Sequence, residues 1–337
     1  MKIINAHNVE DALFQGMKLM EQQGVKRPSR NGPVRTFDCP VTTIYNAPTE
    51  RVVFSPARDA NPFFHFMEGL WMLAGRNDVA WISQFNSTIE QFSDNGVHFH
   101  GAYGYRWRNH FPDDLAINDP GVAVLDQLAT IANMLKVNPD DRRVVLQMWD
   151  PTADLGMKGK DFPCNTQILF RINPYGTLDM TVINRSNDMI WGAYGANAVH
   201  MSMLQEVLAA WIGVPVGRYW QISTNLHVYE SVYQKHIDLL TTESSDAYFT
   251  NVDTFPMVNG DIARWFGELE MFMSCGPVMG YQDPFFRRVA SPIHSAWFKW
   301  KDKSNPSRGV EAIQILDNCI AADWRRACIE WIERRMS

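Results

Sequence analysis

The stretch DFPCNTQILFRINPYGTLDMTVINRSND, residues 161–188, decides how this chain is read. Residues 168–172 and 177–184 read as two strands, the second alternating as a half-buried strand does, and the PYG between them supplies the turn. A single cysteine, Cys164, stands just before the pair, and the run Arg185-Ser186-Asn187-Asp188 closes it. Taken alone, a lone cysteine is most often a small buried hydrophobe. To act as a nucleophile it must become a thiolate, and a free thiol with a pKa of about 8.5 is mostly protonated at neutral pH. Arginines beside neighbouring strands, Arg142 and Arg143 upstream and Arg185 downstream, are expected to lower it.

Working outward, 144–149 reads as a further short strand, 197–212 as a helix, and VGRYWQISTNLHVY (216–229) as a strand running into His227 and Tyr229. NPFFHFMEGLWMLAG (61–75) begins on Asn-Pro, repeats apolar residues at helical spacing and ends on Gly75, the pattern of a buried helix. Glu68 sits inside it among Phe, Met, Leu and Trp, where an unpaired carboxylate is costly, so it must face a polar cleft or a tight partner. The N-terminus reads as a strand followed by a helix with Ala12, Leu13, Met17 and Met20 on one face. From about residue 241 turn-rich joints alternate with helical segments. The expected fold class is therefore α/β (α+β): a mixed twisted sheet flanked by helices over 1–245, with a helical C-terminal extension, 246–337, packed on the same unit.

With 337 residues and 46% hydrophobic content the chain can bury a large core. No signal peptide or membrane-length apolar run is present, so a cytoplasmic protein with no membrane partner is expected. The five cysteines, Cys39, Cys164, Cys275, Cys319 and Cys328, are scattered and never paired as CxxC, which argues against a disulfide framework and against a metal site. A net charge of -6 offers no general attraction for a nucleic acid polymer, leaving a phosphate ligand to local arginines and favouring a small nucleotide.

The order of these pieces resembles the thymidylate synthase family across roughly residues 10–235. The matching stretches are SRNG (29–32), EGLWMLAG (68–75), YGYRWR (103–108), DRR and MWDP within 141–151, PCN (163–165), RSND (185–188) and LHVY (226–229). The resemblance implies a thymidylate synthase-like fold and a reaction at carbon 5 of a pyrimidine nucleoside monophosphate. Cys164 adds to carbon 6, 5,10-methylenetetrahydrofolate is the one-carbon co-substrate, and no metal takes part. Glu68 would move protons through ordered water and Tyr103 would stand beside the nucleophile. Phosphate binding falls to Arg30, Arg185 and Ser186 of one subunit and to Arg142 and Arg143 from its partner, in a homodimer with shared active sites. His227 and Tyr229 would bind the sugar and Asp188 the folate. The base-reading asparagine is taken as Asn197, 30 residues upstream of His227, although the GAYGAN loop before it is one residue longer than the family's usual loop. Its position before AVHMSML also permits a plain helix N-cap.

Three departures bear on the product. Asn165 follows the cysteine where synthases usually have histidine, Glu90 aligns with a shielding tryptophan, and the chain runs to WIERRMS on a helical extension in place of a short apolar closing tail. Each points to water reaching the intermediate, hence to deoxyuridylate (dUMP) 5-hydroxymethylation. The alternatives are a dCMP (or CMP) hydroxymethylase, a true thymidylate synthase, and a catalytically silent nucleotide- or RNA-binding homologue.

Overall fold

Two β-sheets and a shell of helices are built by the chain in the order β1 (Lys2–Ala6), α1 (Val9–Gln23), β2 (Val25–Arg27), β3 (Val34–Thr36), β4 (Val41–Tyr45), α2 (Pro62–Leu73), α3 (Val79–Ile82), α4 (Tyr103–Arg108), α5 (Gln127–Val137), β5 (Val145–Gln147) and α6 (Pro151–Asp154). There follow β6 (Asn165–Ile172), β7 (Leu178–Asn184), β8 (Asn187–Asp188), α7 (Asn197–Ile212), β9 (Val216–Ser223), β10 (Leu226–Tyr229) and α8 (Glu230–Lys235). The last part is helical: α9 (Ile262–Cys275), α10 (Ser291–Lys301), α11 (Arg308–Leu316) and α12 (Ala322–Met336). This computed structural model describes residues 1–113, 124–242, 247–250 and 252–336. The expected boundary at 245/246 lies outside the described residues.

The larger sheet has the order β1-β4-β9-β7-β6-β5 and is mixed, with β1/β4 and β7/β9 parallel and the other pairs antiparallel. The smaller has the order β2-β3-β10-β8. The expectation of one strand through 216–229 is corrected here. Thr224 and Asn225 turn the chain after Ser223, so Val216–Ser223 joins the large sheet and Leu226–Tyr229 the small one. The turn is held by Thr224, whose N–H donates to Asn184 O and whose hydroxyl donates to Arg185 O.

Paired residues share a face of a sheet, so the register defines two unlike surfaces. The row Leu146, Ile168, Val182, Gln221, Thr43 and Ile4 is buried under the helices. The opposite row, Val145, Leu169, Thr181, Trp220 and Ile44, stays partly or fully open. On the buried side α7 packs on β7 and β9, and α2 packs on α7. Helix α2 starts as its sequence requires, with Asn61 accepting from Phe64 N and Pro62 in the first turn. Helix α7 stops at Gly213, whose φ of 92° suits glycine and lets Val214 N also reach back to Ala209 O.

The extension packs on the same core. Phe63 of α2 meets Trp297 of α10 and Trp331 of α12, and Phe66 meets Trp324 and Phe285. Helix α12 also reaches the segment that leads into α2: Tyr248 bonds Asp323 while accepting from Val52 N, and Arg335 makes a two-pronged pair with Asp59. No helix among the described residues is long and apolar enough to cross a membrane.

Candidate active site

A cleft of about 710 Å³ opens between α2, the segment leading into β6, and the joint between β8 and α7. Glu68, Tyr103, Cys164, Asp188 and Asn197, five residues singled out from sequence, line it together. Cys164 comes immediately before β6, where the pairing with β7 slips between Asn165 and Gln167. Such a bulge re-aims the side chains beside it. Two backbone amides there, Cys164 N and Asn165 N, donate to Tyr103 Oη at 3.2 and 3.4 Å, so the phenol is pinned beside the thiol. Asn165 itself turns away from the cleft and is buried against Asn184, which donates to it.

Arg185 Nη2 lies 4.0 Å from Cys164 Sγ, while the same guanidinium donates to Pro163 O and Phe162 O. Its charge favours the thiolate, as expected. Burial nevertheless outweighs it, and Asp161 and Asp188 add to the effect, so the Cys164 thiol is pushed up overall. The expectation that arginines depress the thiol is corrected to that extent for the isolated subunit. Arg142 and Arg143 are exposed beyond the edge strand β5 and do not line the cleft, and Arg143 is clamped by Asp141.

Burial raises Glu68 to about 8, with the nearby charge of Asp161 adding to it, so the carboxyl holds its proton at neutral pH. Its Oε2 faces His200 Nε2 at 3.4 Å and makes no hydrogen bond among the described residues. His200 also faces His65 O at 3.1 Å, and burial drives both imidazoles to the neutral form, His200 down to about 3. A neutral acid at the cleft wall with a spare oxygen can exchange protons with a substrate or with a water held beside it.

Asn197 stands at the first turn of α7, but the N-cap reading does not hold: Ala196 occupies that position and no side chain caps the helix. The Asn197 amide goes instead to Asn187, Nδ2 donating to Oδ1 at 2.9 Å. A π-helical turn over Met189–Ala196, kinked at Tyr194 and Gly195, carries GAYGAN into α7. Asp188 caps that turn through Oδ1, leaving Oδ2 buried in the cleft without a partner among the described residues.

His227 and Tyr229 stand two apart on β10 with rings 5.6 Å apart, and His227 pairs in register with Asp188. Ser186 sits within 3.5 Å of Asn225 Nδ2, and Arg30 lies on the exposed turn before β3. None of these four lines the cleft. Glu90 is also outside it, on the solvent side of the short turn Ser87–Phe92, whose Ile89 and Phe92 face the cleft instead. A turn of about three residues per repeat places Ile89 and Phe92 on the same side, beside Asn86, Thr88 and Gln91 on the cleft wall.

Sequence reasoning missed Arg58, Trp191, Asn187 and Asp161. Arg58 is buried in the cleft wall, stacked 4.6 Å over Trp191 and donating to Ile190 O, with burial lowering it to about 10. A lone arginine in SPARDANP carried no spacing signal, whereas Asn187 stood in plain view within RSND.

Compared with known proteins, residues 17–253 match the sequence model of the thymidylate synthase family. The chain is 50% identical to a deoxyuridylate hydroxymethyltransferase of Pseudomonas phage M6 over 99% of its own length and 95% of the relative's. It is 38% identical to a deoxyuridylate hydroxymethyltransferase of Bacillus phage SP01, over 72% of this chain and 60% of that protein. To a thymidylate synthase of Streptococcus gordonii it is 30% identical over 50% of the chain and 61% of the relative.

Proposed function

The chain belongs to the thymidylate synthase family, and on that premise we propose that it is a deoxyuridylate hydroxymethyltransferase. It converts dUMP to 5-hydroxymethyl-dUMP with 5,10-methylenetetrahydrofolate and water. The observation that carries this reading is the likeness to a deoxyuridylate hydroxymethyltransferase along the whole chain. With Glu90 outside the cleft, the choice of hydroxymethyl over methyl product rests on that likeness.

The residues support the chemistry. Cys164 Sγ adds to carbon 6 of the uracil and makes carbon 5 nucleophilic, with Arg185 and Tyr103 holding the charge and position of the reacting sulfur. Folate, when bound, would supply the methylene carbon to carbon 5 and depart as tetrahydrofolate as carbon 5 gives up its proton. The cleft suits its ring: Ile89, Phe92 and Trp191 are flat or apolar walls, and Asp188 Oδ2, without a partner among the described residues, can accept from an N–H. Glu68 moves protons on and off the pyrimidine and aims the water that completes the hydroxymethyl group. Release of Cys164 Sγ from carbon 6 ends the cycle.

The phosphate is assigned to Arg30, Arg185 and Ser186, together with Arg142 and Arg143 reaching across a homodimer, and the sugar to His227 and Tyr229. The open apolar row of the large sheet supports the dimer. Val145, Leu169 and Trp220 lie on one face with no covering layer from the described residues of their own chain, beside the edge from which Arg142 and Arg143 project. The test is the mass of the product formed from dUMP, dCMP, UMP and CMP with methylenetetrahydrofolate. The expected result is 5-hydroxymethyl-dUMP from dUMP with no rise in dihydrofolate absorbance. Formation of dTMP in step with dihydrofolate would refute it.

A further inference from the structure

We propose that Asn187 is a specificity-determining residue: it holds the Asn197 amide in the one orientation that reads uracil and refuses cytosine. This deepens the function proposed above and rests on its reading of Asn197 as the residue that meets the base. An asparagine alone does not distinguish the two bases. Its amide offers one acceptor edge and one donor edge. Uracil needs an acceptor opposite its ring N–H and a donor opposite its carbonyl oxygen. Cytosine needs the reverse, a donor opposite its ring nitrogen and an acceptor opposite its amine. A half-turn of the Asn197 side chain would convert one reading into the other, so something must forbid that turn.

Asn187 is placed to do so. It is 1% exposed, on β8, with its backbone N–H bound to Asn225 O and its amide lying between two polar neighbours. Its Oδ1 accepts from Asn197 Nδ2 at 2.9 Å, and its Nδ2 donates to Ser223 Oγ at 3.3 Å. The three side chains form a directional chain, Asn197 donating to Asn187 and Asn187 to Ser223. In this direction the Asn197 Oδ1 and the second hydrogen of its Nδ2 are held in one fixed order for the cleft, and with Asn197 read as the residue that meets dUMP this is the order set against the uracil ring N–H and carbonyl. Turning Asn197 alone would set its Oδ1 against Asn187 Oδ1, two acceptors in contact in a buried place, at the cost of a lost hydrogen bond and a repulsion. Gly192 packs directly over the contact. A Cβ there would stand 2.6 Å from Asn187 Oδ1 and 3.0 Å from Asn197 Nδ2, so only a bare glycine leaves room for the pair. To read cytosine, two tightly packed amides must turn together and Ser223 must reverse its role.

The test compares the kcat/KM ratio of dUMP to dCMP in wild type, Asn187→Leu, Asn187→Asp and Ser223→Ala, with nucleotide-dependent exchange of the carbon 5 hydrogen as a second measure of each base. Asn187→Leu removes the acceptor and is expected to lower the ratio by about tenfold or more, the size of one buried hydrogen bond. Asn187→Asp, an acceptor in either rotamer when ionised, should hold the ratio at or above the wild-type value. Ser223→Ala should lower it by less than Asn187→Leu does. A purely structural role would instead reduce both bases alike and leave the ratio unchanged in every variant, which would overturn the proposal. If Asn187→Leu does not fold, Asn187→Ser carries the same comparison. Asn197→Asp separates the two levels: if it shifts the ratio while the Asn187 variants do not, the lock is wrong and the base reading stands. If it does not shift the ratio, the base reading itself is wrong.

Discussion

Cys164 and Glu68 line one cleft where burial disfavours charge on both, and the two residues respond in ways that can be measured. Replacing Cys164 with alanine is expected to abolish product formation and folate-independent exchange of the carbon 5 hydrogen, while dUMP still binds; near-normal exchange in that variant rules out the carbon 6 adduct. Glu68, held at about 8 by burial and by the charge of Asp161, is expected to set an alkaline limb near that value in the pH profile of turnover. The other groups facing it, His200 and His65 in neutral form and the raised Tyr103 and Cys164, stay uncharged through that window. Glu68→Gln should lower turnover by about 10²- to 10⁴-fold and remove the limb. Stability gives an independent check. The folded-state pKa of Glu68 lies above its unfolded value of about 4.3, so the unfolded chain binds fewer protons between those values and stability falls as pH rises through the window. The Tm of Glu68→Gln relative to wild type should therefore improve from pH 5 to pH 8; a constant difference would show that the carboxyl is already ionised.

Two elements carry local irregularities exactly where the chemistry lies: the slip between β6 and β7 next to Cys164, and the π-helical turn that leads into α7. The slip sets two residues of β6 against one of β7. A third element acts from a distance. Helix α12 buries Trp331 against Phe63, and Trp331 in turn stacks under Arg335, which forks onto Asp59 at the cleft rim next to Arg58. Asp59 has a φ of 46°, a left-handed conformation that a non-glycine residue holds only when its surroundings impose it. Trp331→Ala is expected to cost about 3 kcal/mol of stability, typical for emptying an aromatic core site. It should also raise the KM for methylenetetrahydrofolate more than that for dUMP, because the rim at Asp59 loses its support. Denaturant unfolding and the two KM values check both parts, and equal changes in KM would separate α12 from the cleft.

At the scale of the whole molecule, the large sheet has one face under helices and one face open. Trp220 and Leu169 on the open face are expected to lie in a homodimer contact, so Leu169→Glu should yield a monomer by sedimentation and lose activity in proportion. The same arrangement predicts complementation. Subunits carrying Cys164→Ala mixed with subunits carrying Arg143→Ala should regain activity that neither parent has, through heterodimers with one intact site. Proven subunit exchange without recovered activity would place Arg143 outside the site.

The sequence by itself determined the family and the main elements around Cys164, though not the break of 216–229 into two strands of different sheets. Periodicity located α2 and the β6–β7 pair, α7 fell at residues 197–212 as read, and the ordered motifs around Cys164 identified the reaction class, because these features are local and repeat along the chain. Only the tertiary structure decided which of those residues share a cleft and in what state. Glu90 and Phe92 are two residues apart, yet Phe92 lines the cleft and Glu90 does not, since a tight turn divides them between its faces. The arginine that should activate Cys164 is present, but its effect is outweighed by burial and by two carboxyl groups distant or unremarked in sequence. Asn187, Arg58 and His200 gain their meaning from partners 10, 133 and 132 residues away. Hydrogen-bond direction, burial and charge summation depend on three-dimensional neighbours, and no spacing along a single chain encodes them.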